Sequence, residues 1–271
     1  MRRAASCRAS GRCSTPMPEE PSLLSVRGLT RSFYGVRALA GVDFDVAAGT
    51  ITALIGPNGA GKTTAFQCIS GVVPPEGGQV LLAGRDITGW PPERISRAGL
   101  VRTFQIARGI PRLSVLENLL LYAPGQPGEA MWTSLLGGGQ AAARRARARA
   151  LAIARRLDLV AVANQPAGAL SGGQKKLLEI GRALMAEPRL VLLDEPIAGV
   201  NPTLAERIAT HLESLRAEGI TFLVIEHHMD LIARLCDPVI VMAEGRTLRA
   251  GRFSEIAEDE AVQLAYLGTR V

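Results

Sequence analysis

Two kinds of apolar run alternate along the chain. In Leu24-Ser25-Val26-Arg27-Gly28-Leu29 and Val42-Asp43-Phe44-Asp45-Val46, apolar and polar side chains take turns, the period of a half-buried antiparallel strand. Residues 51–55, 190–193, 220–225 and 239–243 are apolar almost without a break, as strands are when a sheet is covered on both faces. Residues 79–84 read as a further strand and turn. Residues 246–250, following the Glu244-Gly245 turn, read as a late strand. Helical signals fall between them. Pro91 and Pro92 open a short helix to about residue 98. Ser114 and Glu117 form a capping box, and so do Ser171 and Gln174. Behind the second box, Leu177, Leu178, Gly181, Leu184 and Met185 mark the buried face of a helix that stops at Pro188. Residues 124–139 are rich in Gly and Pro and form a loop; an Ala/Arg helix follows over about 140–157. Asn201 and Pro202 are the N-cap and first position of a helix ending near Gly219. Residues 255–267 read as a C-terminal helix or extension.

The helical stretch from about 106 to 187 therefore reads as a subdomain inserted into an α/β core. Residues 1–21 lack periodicity and are rich in Arg, Ala, Ser and Pro. They read as a disordered tail, with Met17 as a second candidate start. The ordered domain is expected over 22–268.

The first chemistry sits where strand 51–55 ends. Gly56-Pro57-Asn58-Gly59-Ala60-Gly61-Lys62-Thr63-Thr64 fits G-x-x-x-x-G-K-[ST], between a strand and a helix over about 63–70. Glycines let successive backbone N–H groups point inward at phosphate oxygens, and the helix N-terminus adds partial positive charge. Lys62 supplies an ammonium for the outer phosphates. Thr63 supplies a hydroxyl for Mg²⁺. A Gly-rich turn beside a surface lysine is the plain alternative, and the flanking strand and helix argue against it.

Three further features share that logic. Leu170-Ser171-Gly172-Gly173-Gln174 is either a well-capped helix start or a second phosphate site, since a hydroxyl and glycine N–H groups at a helix N-terminus suit an anion. Asp194 and Glu195 terminate an apolar strand at its C-terminal end, where ligands bind in α/β sheets; Asp194 is placed for Mg²⁺ and Glu195 to polarise a water. Glu226-His227-His228 ends the next apolar strand, so a histidine there could contact a γ-phosphate. Phe33 or Tyr34, upstream of the glycine loop, could stack on adenine or simply anchor a loop.

Composition narrows the classes. The 271 residues suffice for one large domain or two small ones, and 47% are apolar. Aromatics at 4% argue against a stacking single-strand nucleic-acid binder. The net charge of +6 owes most to four arginines, with no acid, in residues 1–16. A second basic cluster, Arg144, Arg145, Arg147 and Arg149 with Arg155 and Arg156, spreads round more than one helix face, so no nucleic-acid partner is expected. Cys7, Cys13, Cys68 and Cys236 match no zinc spacing; Cys68 and Cys236 read as small core residues. No run reaches the ~18 apolar residues of a membrane span, so any spans belong to other chains.

Taken together and in this order, the glycine loop, Leu170–Gln174 and the Asp194-Glu195 strand resemble the ABC-type ATPase family over residues 22–268. The resemblance implies a P-loop NTPase core with mixed sheet, an antiparallel β subdomain and an inserted helical subdomain. It implies ATP and Mg²⁺ as cofactors. It also implies a head-to-tail dimer in which each ATP lies between the phosphate loop of one subunit and Ser171, Gly172, Gly173 and Gln174 of the other. By resemblance, Gln105 is the Q-loop glutamine reaching Mg²⁺ and water, Glu195 is the general base, His227 is the switch histidine and residues 198–201 are the D-loop. Phe33 is favoured as the adenine-stacking residue. Arg102-Thr103-Phe104-Gln105, Ser114-Val115-Leu116-Glu117-Asn118, Ala198-Gly199-Val200-Asn201-Pro202 and Ala265-Tyr266-Leu267-Gly268 further resemble the branched-chain amino acid importer ATPases, the longer of two paralogues. Urea and short-amide importers share much of this pattern. The implied partners are a second ATPase subunit, two transmembrane permeases and, indirectly, a solute-binding protein, with this chain peripheral on the cytoplasmic face of the membrane. Two departures stand out. The family usually has Glu-His-Asp where this chain has Glu226-His227-His228, and Lys175-Lys176 after the second capping box is unusual.

Overall fold

The computed structural model describes residues 22–103, 110–124 and 139–267. Two sheets organise them. The larger has six strands in the order β10-β9-β3-β8-β7-β6: β3 (Ile51–Ile55), β6 (Leu100–Arg102), β7 (Leu190–Asp194), β8 (Thr221–Ile225), β9 (Val239–Ala243) and β10 (Arg246–Gly251). The first five named run parallel to one another, and β10 is antiparallel at the edge. Side chains alternate across this sheet into two cores. Ile51, Ala53, Val191, Leu193, Phe222 and Val224 point to one; Leu54, Leu190, Leu192, Leu223 and Ile225 point to the other. Both faces are covered, which is why these strands read as unbroken apolar runs.

The smaller sheet is antiparallel, in the order β2-β1-β4-β5. It is built from β1 (Ser22–Phe33), β2 (Val36–Ala47), β4 (Gly77–Leu82) and β5 (Arg85–Asp86). Phe33 is the last residue of β1 rather than part of a loop.

Helices fill the connections: α1 (Lys62–Ile69), α2 (Pro92–Arg97), α3 (Val115–Leu120), α4 (Gly139–Arg156), α5 (Gly172–Met185), α6 (Pro202–Ala217), α7 (Met229–Leu235), α8 (Phe253–Glu258) and α9 (Glu260–Leu267). Both capping boxes form, at Ser114/Glu117 and Ser171/Gln174. Helices α3, α4 and α5 pack on one another and share a core with the large sheet. The expected single element at 255–267 is two helices. Asp259 breaks it, because its Oδ1 accepts the N–H groups of Ala261 (3.0 Å) and Val262 (3.2 Å) and so caps α9. Gln105, Phe104 and Gly268 lie outside the described residues, as do residues 1–21 and 125–138. Cys68 and Cys236 are buried, and burial pushes their thiols up to about 11 and about 12, the setting of inert core cysteines.

Candidate functional site

The C-terminal ends of β3, β7 and β8 carry the chemistry. After β3 the backbone curls through Gly56 (φ 147°), Gly59 (φ 81°) and Gly61 (φ 97°) into α1. Gly56 is obligatory for contact as well as for φ: a Cβ there would lie 2.0 Å from the Met242 carbonyl oxygen. The loop is fastened to its neighbours. Ala60 N–H donates to the Pro57 carbonyl (3.2 Å), and Gly245 N–H donates to the Ala60 carbonyl (3.2 Å). Ala40 N–H of β2 donates to Gly245 in turn (2.7 Å), so the antiparallel sheet is tied to the loop through the β9–β10 turn. Asn58, Gly59 and Thr63 are exposed, Pro57 and Thr64 half-buried. Leu264 and Ala265 of α9 join Pro57, Asn58 and Gly59 in lining a hollow of about 300 Å³.

Lys62 is buried and folds back on the loop, its Nζ donating to the carbonyls of Gly56 (2.6 Å) and Pro57 (3.0 Å). Burial pulls its ammonium below the ordinary lysine range, while the carboxylates of Glu195 and Asp194 pull it upward. The three groups thus share one electrostatic site.

Asp194 ends β7 and is almost fully buried. One of its oxygens, Oδ2, accepts from Arg102 Nη2 at 3.1 Å. Arg102 ends β6, the strand paired with β7. Glu195 follows in a left-handed backbone conformation (φ 50°), which costs about 1–2 kcal/mol for a residue with a Cβ. Its N–H donates to the Ile225 carbonyl (2.9 Å). Its own carbonyl accepts from Ala198 N–H (3.2 Å) and from Lys176 Nζ of α5 (3.0 Å). The Glu195 carboxylate reaches His227: Oε1 lies 3.2 Å from Nε2, with both side chains partly exposed. His228 turns instead to Glu226, Nδ1 to Oε2 at 3.3 Å.

Ser171 stands elsewhere. With Gln174 it lines a hollow of about 280 Å³ shared with Asn201, Thr203 and Leu204 and with no residue of the phosphate loop. Gly172 is exposed at the start of α5 and Gly173 is buried against Leu204. Phe33 is half-buried with the Arg31 guanidinium 5.0 Å from its ring centroid, whereas Tyr34 is fully exposed.

The structure therefore brings Lys62, Asp194, Glu195 and His227 together at the C-terminal ends of the strands, while Ser171 and Gln174 line a hollow with none of these four. Arg102 and Lys176 are partners that the sequence reading missed. Arg102 had no signal in the sequence, since its place beside Asp194 depends on β6 pairing with β7. Lys176 had none beyond its unusual place after the capping box.

Known proteins resemble the chain over most of its length. The model of the ABC transporter family matches residues 39–198. The probable branched-chain amino acid transport ATP-binding protein LivG of Archaeoglobus fulgidus is 40% identical over 248 residues, spanning 92% of this chain and 96% of that protein. The high-affinity branched-chain amino acid transport ATP-binding protein BraF of Pseudomonas aeruginosa is 38% identical over 253 residues, spanning 91% and 98%. The solved ADP conformation of an ATP-binding cassette of an ABC transporter has a TM-score of 0.79 at 35% identity, covering 91% of this chain and 99% of its own. By that family match and these identities over most of its length, the chain belongs to the ABC transporter family.

Proposed function

We propose that this chain is the ATP-binding, ATP-hydrolysing subunit of an importer for branched-chain amino acids. The observation that carries the hydrolytic reading is the convergence of Lys62, Asp194, Glu195 and His227 at the ends of β3, β7 and β8. The solute class rests on the names of relatives 38–40% identical to it over most of their length.

The chemistry follows from the groups present. Backbone N–H groups of residues 56–64 cradle the phosphates, and Lys62 exchanges its carbonyl partners for the outer phosphate oxygens. Thr63 and Asp194 would offer hard oxygen donors to Mg²⁺, with phosphate oxygens and waters filling its other positions. Among the described residues no group of three or more acidic, His or Cys side chains could hold an ion without them. Glu195 orients the attacking water and accepts its proton. His227, held by Glu195, faces the γ-phosphate. Lys62 stabilises charge as it develops on the transferring phosphoryl group. Gln105 is proposed to reach the same water and ion from the segment after β6. Phe33 is proposed to cover the adenine.

Ser171, Gly172, Gly173 and Gln174 complete the site in trans, on the ATP of a partner subunit, a reading supported by the hollow that Ser171 and Gln174 line without any residue of the phosphate loop. Among the described residues no helix is long and apolar enough to cross a membrane. Two permease chains would then supply the spans, with this subunit docked on their cytoplasmic side and a solute-binding protein feeding them.

Glu195→Gln tests the reading. A general base contributes about 10²–10⁴-fold, so turnover should fall by that order while ATP binding persists. Turnover near wild type would sink the assignment. Uptake of labelled leucine, against urea and short amides, in cells with and without the gene tests the solute class.

A further inference from the structure

Glu226 has no part in the chemistry above, yet it is as enclosed as Asp194, 2% exposed, while His227 and His228 beside it are exposed. A carboxylate is buried at such cost only when its oxygens are well supplied with donors. Both are. Oε1 accepts the Ile197 N–H at 3.1 Å. Oε2 accepts the His227 N–H at 3.0 Å and lies 3.3 Å from His228 Nδ1. The two sets of donors belong to different turns. Ile197 follows Glu195 by two residues after β7, and His227 opens the turn after β8. Position 228 fits this arrangement, since an imidazole there offers Glu226 a third donor where an acid would have faced it with a like charge.

We infer that Glu226 is a positioning residue for hydrolysis: its carboxylate bolts the turn behind Glu195 to the turn that carries His227, and so sets the 3.2 Å contact between those two side chains. The backbone bond from Glu195 N–H to Ile225 joins the same two turns on the other side of Glu195. Glu195 is thereby held at both ends of a backbone conformation that it would not adopt unaided. The inference rests on the proposal that Glu195 and His227 act in hydrolysis.

The test is a double-mutant cycle of Glu226→Gln and His227→Ala in the full chain, reading ATPase kcat, KM and nucleotide affinity. The amide keeps the volume and one acceptor but turns an NH₂ toward one of the backbone donors, so one turn is released. In the wild-type background Glu226→Gln should lower kcat about 10–100-fold with nucleotide affinity changed less than about twofold. In the His227→Ala background the same change should cost less than about twofold. An equal loss in both backgrounds, or no loss of kcat in the first, overturns the inference. Wild-type turnover in both Glu195→Gln and His227→Ala overturns instead the reading beneath it. Should Glu226→Gln not fold, Glu226→Asp enters the same cycle: it keeps the charge, is one methylene shorter and can serve only one of the two turns, and the same outcomes decide.

Discussion

Glu195 shows how a residue's placement depends on groups distant in sequence. Its left-handed backbone turns the carboxylate toward His227 and leaves its carbonyl pointing at α5, where Lys176 Nζ donates to it at 3.0 Å. Removing that ammonium leaves a half-buried carbonyl with only the Ala198 N–H as partner. Lys176→Met keeps the aliphatic stem and should lower kcat several-fold while leaving nucleotide affinity unchanged. Equal kcat in the two proteins, by steady-state ATPase assay, would show that the contact positions nothing. The acids themselves were legible in the sequence, because two carboxylates ending an apolar strand cannot be a solvated loop. So was the phosphate loop, whose glycines answer to local backbone geometry. Arg102 on Asp194 and Lys176 on Glu195 were not, for their partners lie far along the chain and meet only when β6 pairs with β7 and α5 packs beside the sheet. Which of His227 and His228 meets Glu195 was likewise not legible, since it depends on the shape of the turn after β8.

At the scale of elements, the helical block is held by close packing at one point and by charge at another. Gly181, midway along α5, is where three helical segments meet: a Cβ there would lie 2.9 Å from Leu119, 3.1 Å from Leu157 and 3.3 Å from Ile153. A larger side chain has no room, and overpacking of a filled core costs about 1–3 kcal/mol. Gly181→Leu should lower the melting temperature by several degrees, as followed by circular dichroism. Below that junction, Asp158 pairs with Arg207 of α6 (2.9 Å) and lies 3.5 Å from His211 Nε2, while Arg156 pairs with Glu218. Burial holds the His211 imidazole below its ordinary 6.5, with Asp158 pulling it upward and Arg207 and Arg156 adding to the downward push. The unfolded chain therefore takes up this proton at a higher pH than the native one. Stability is lost as pH falls from about 6.5 through the lowered native value. His211→Gln should lose less stability between neutral and mildly acidic pH than the parent, by urea denaturation at each pH. The elements were readable where local rules decide them: both capping boxes, the Asn201-Pro202 helix start and the buried strands. The break at Asp259 was missed although it had a signal, since Asp, unlike the Glu on either side, is a favoured N-cap.

For the whole molecule, the telling placement is that, among the described residues, Ser171 and Gln174 line one hollow while Pro57, Asn58 and Gly59 line another. On the proposed reading the Ser171–Gln174 helix start meets the ATP of a second molecule, and two-fold symmetry then builds two equivalent composite sites from one contact. This arrangement makes a prediction that no single-chain mechanism shares. Lys62→Met removes the ammonium of the loop and leaves the exposed Ser171 turn intact. Ser171→Arg fills that turn with a bulky side chain and leaves the loop intact. Each preparation alone should be nearly inactive, since every site in it carries the defect. Mixed in equal amounts with ATP and Mg²⁺, they form hybrids in which the loop of the Ser171→Arg chain meets the unaltered turn of the Lys62→Met chain. That one site is whole, and ATPase activity should rise well above the sum of the separate preparations and increase more steeply than linearly with protein concentration. If the mixture gives only the sum while sedimentation shows that mixed dimers have formed, the turn does not act in trans and the head-to-tail dimer is wrong for this chain.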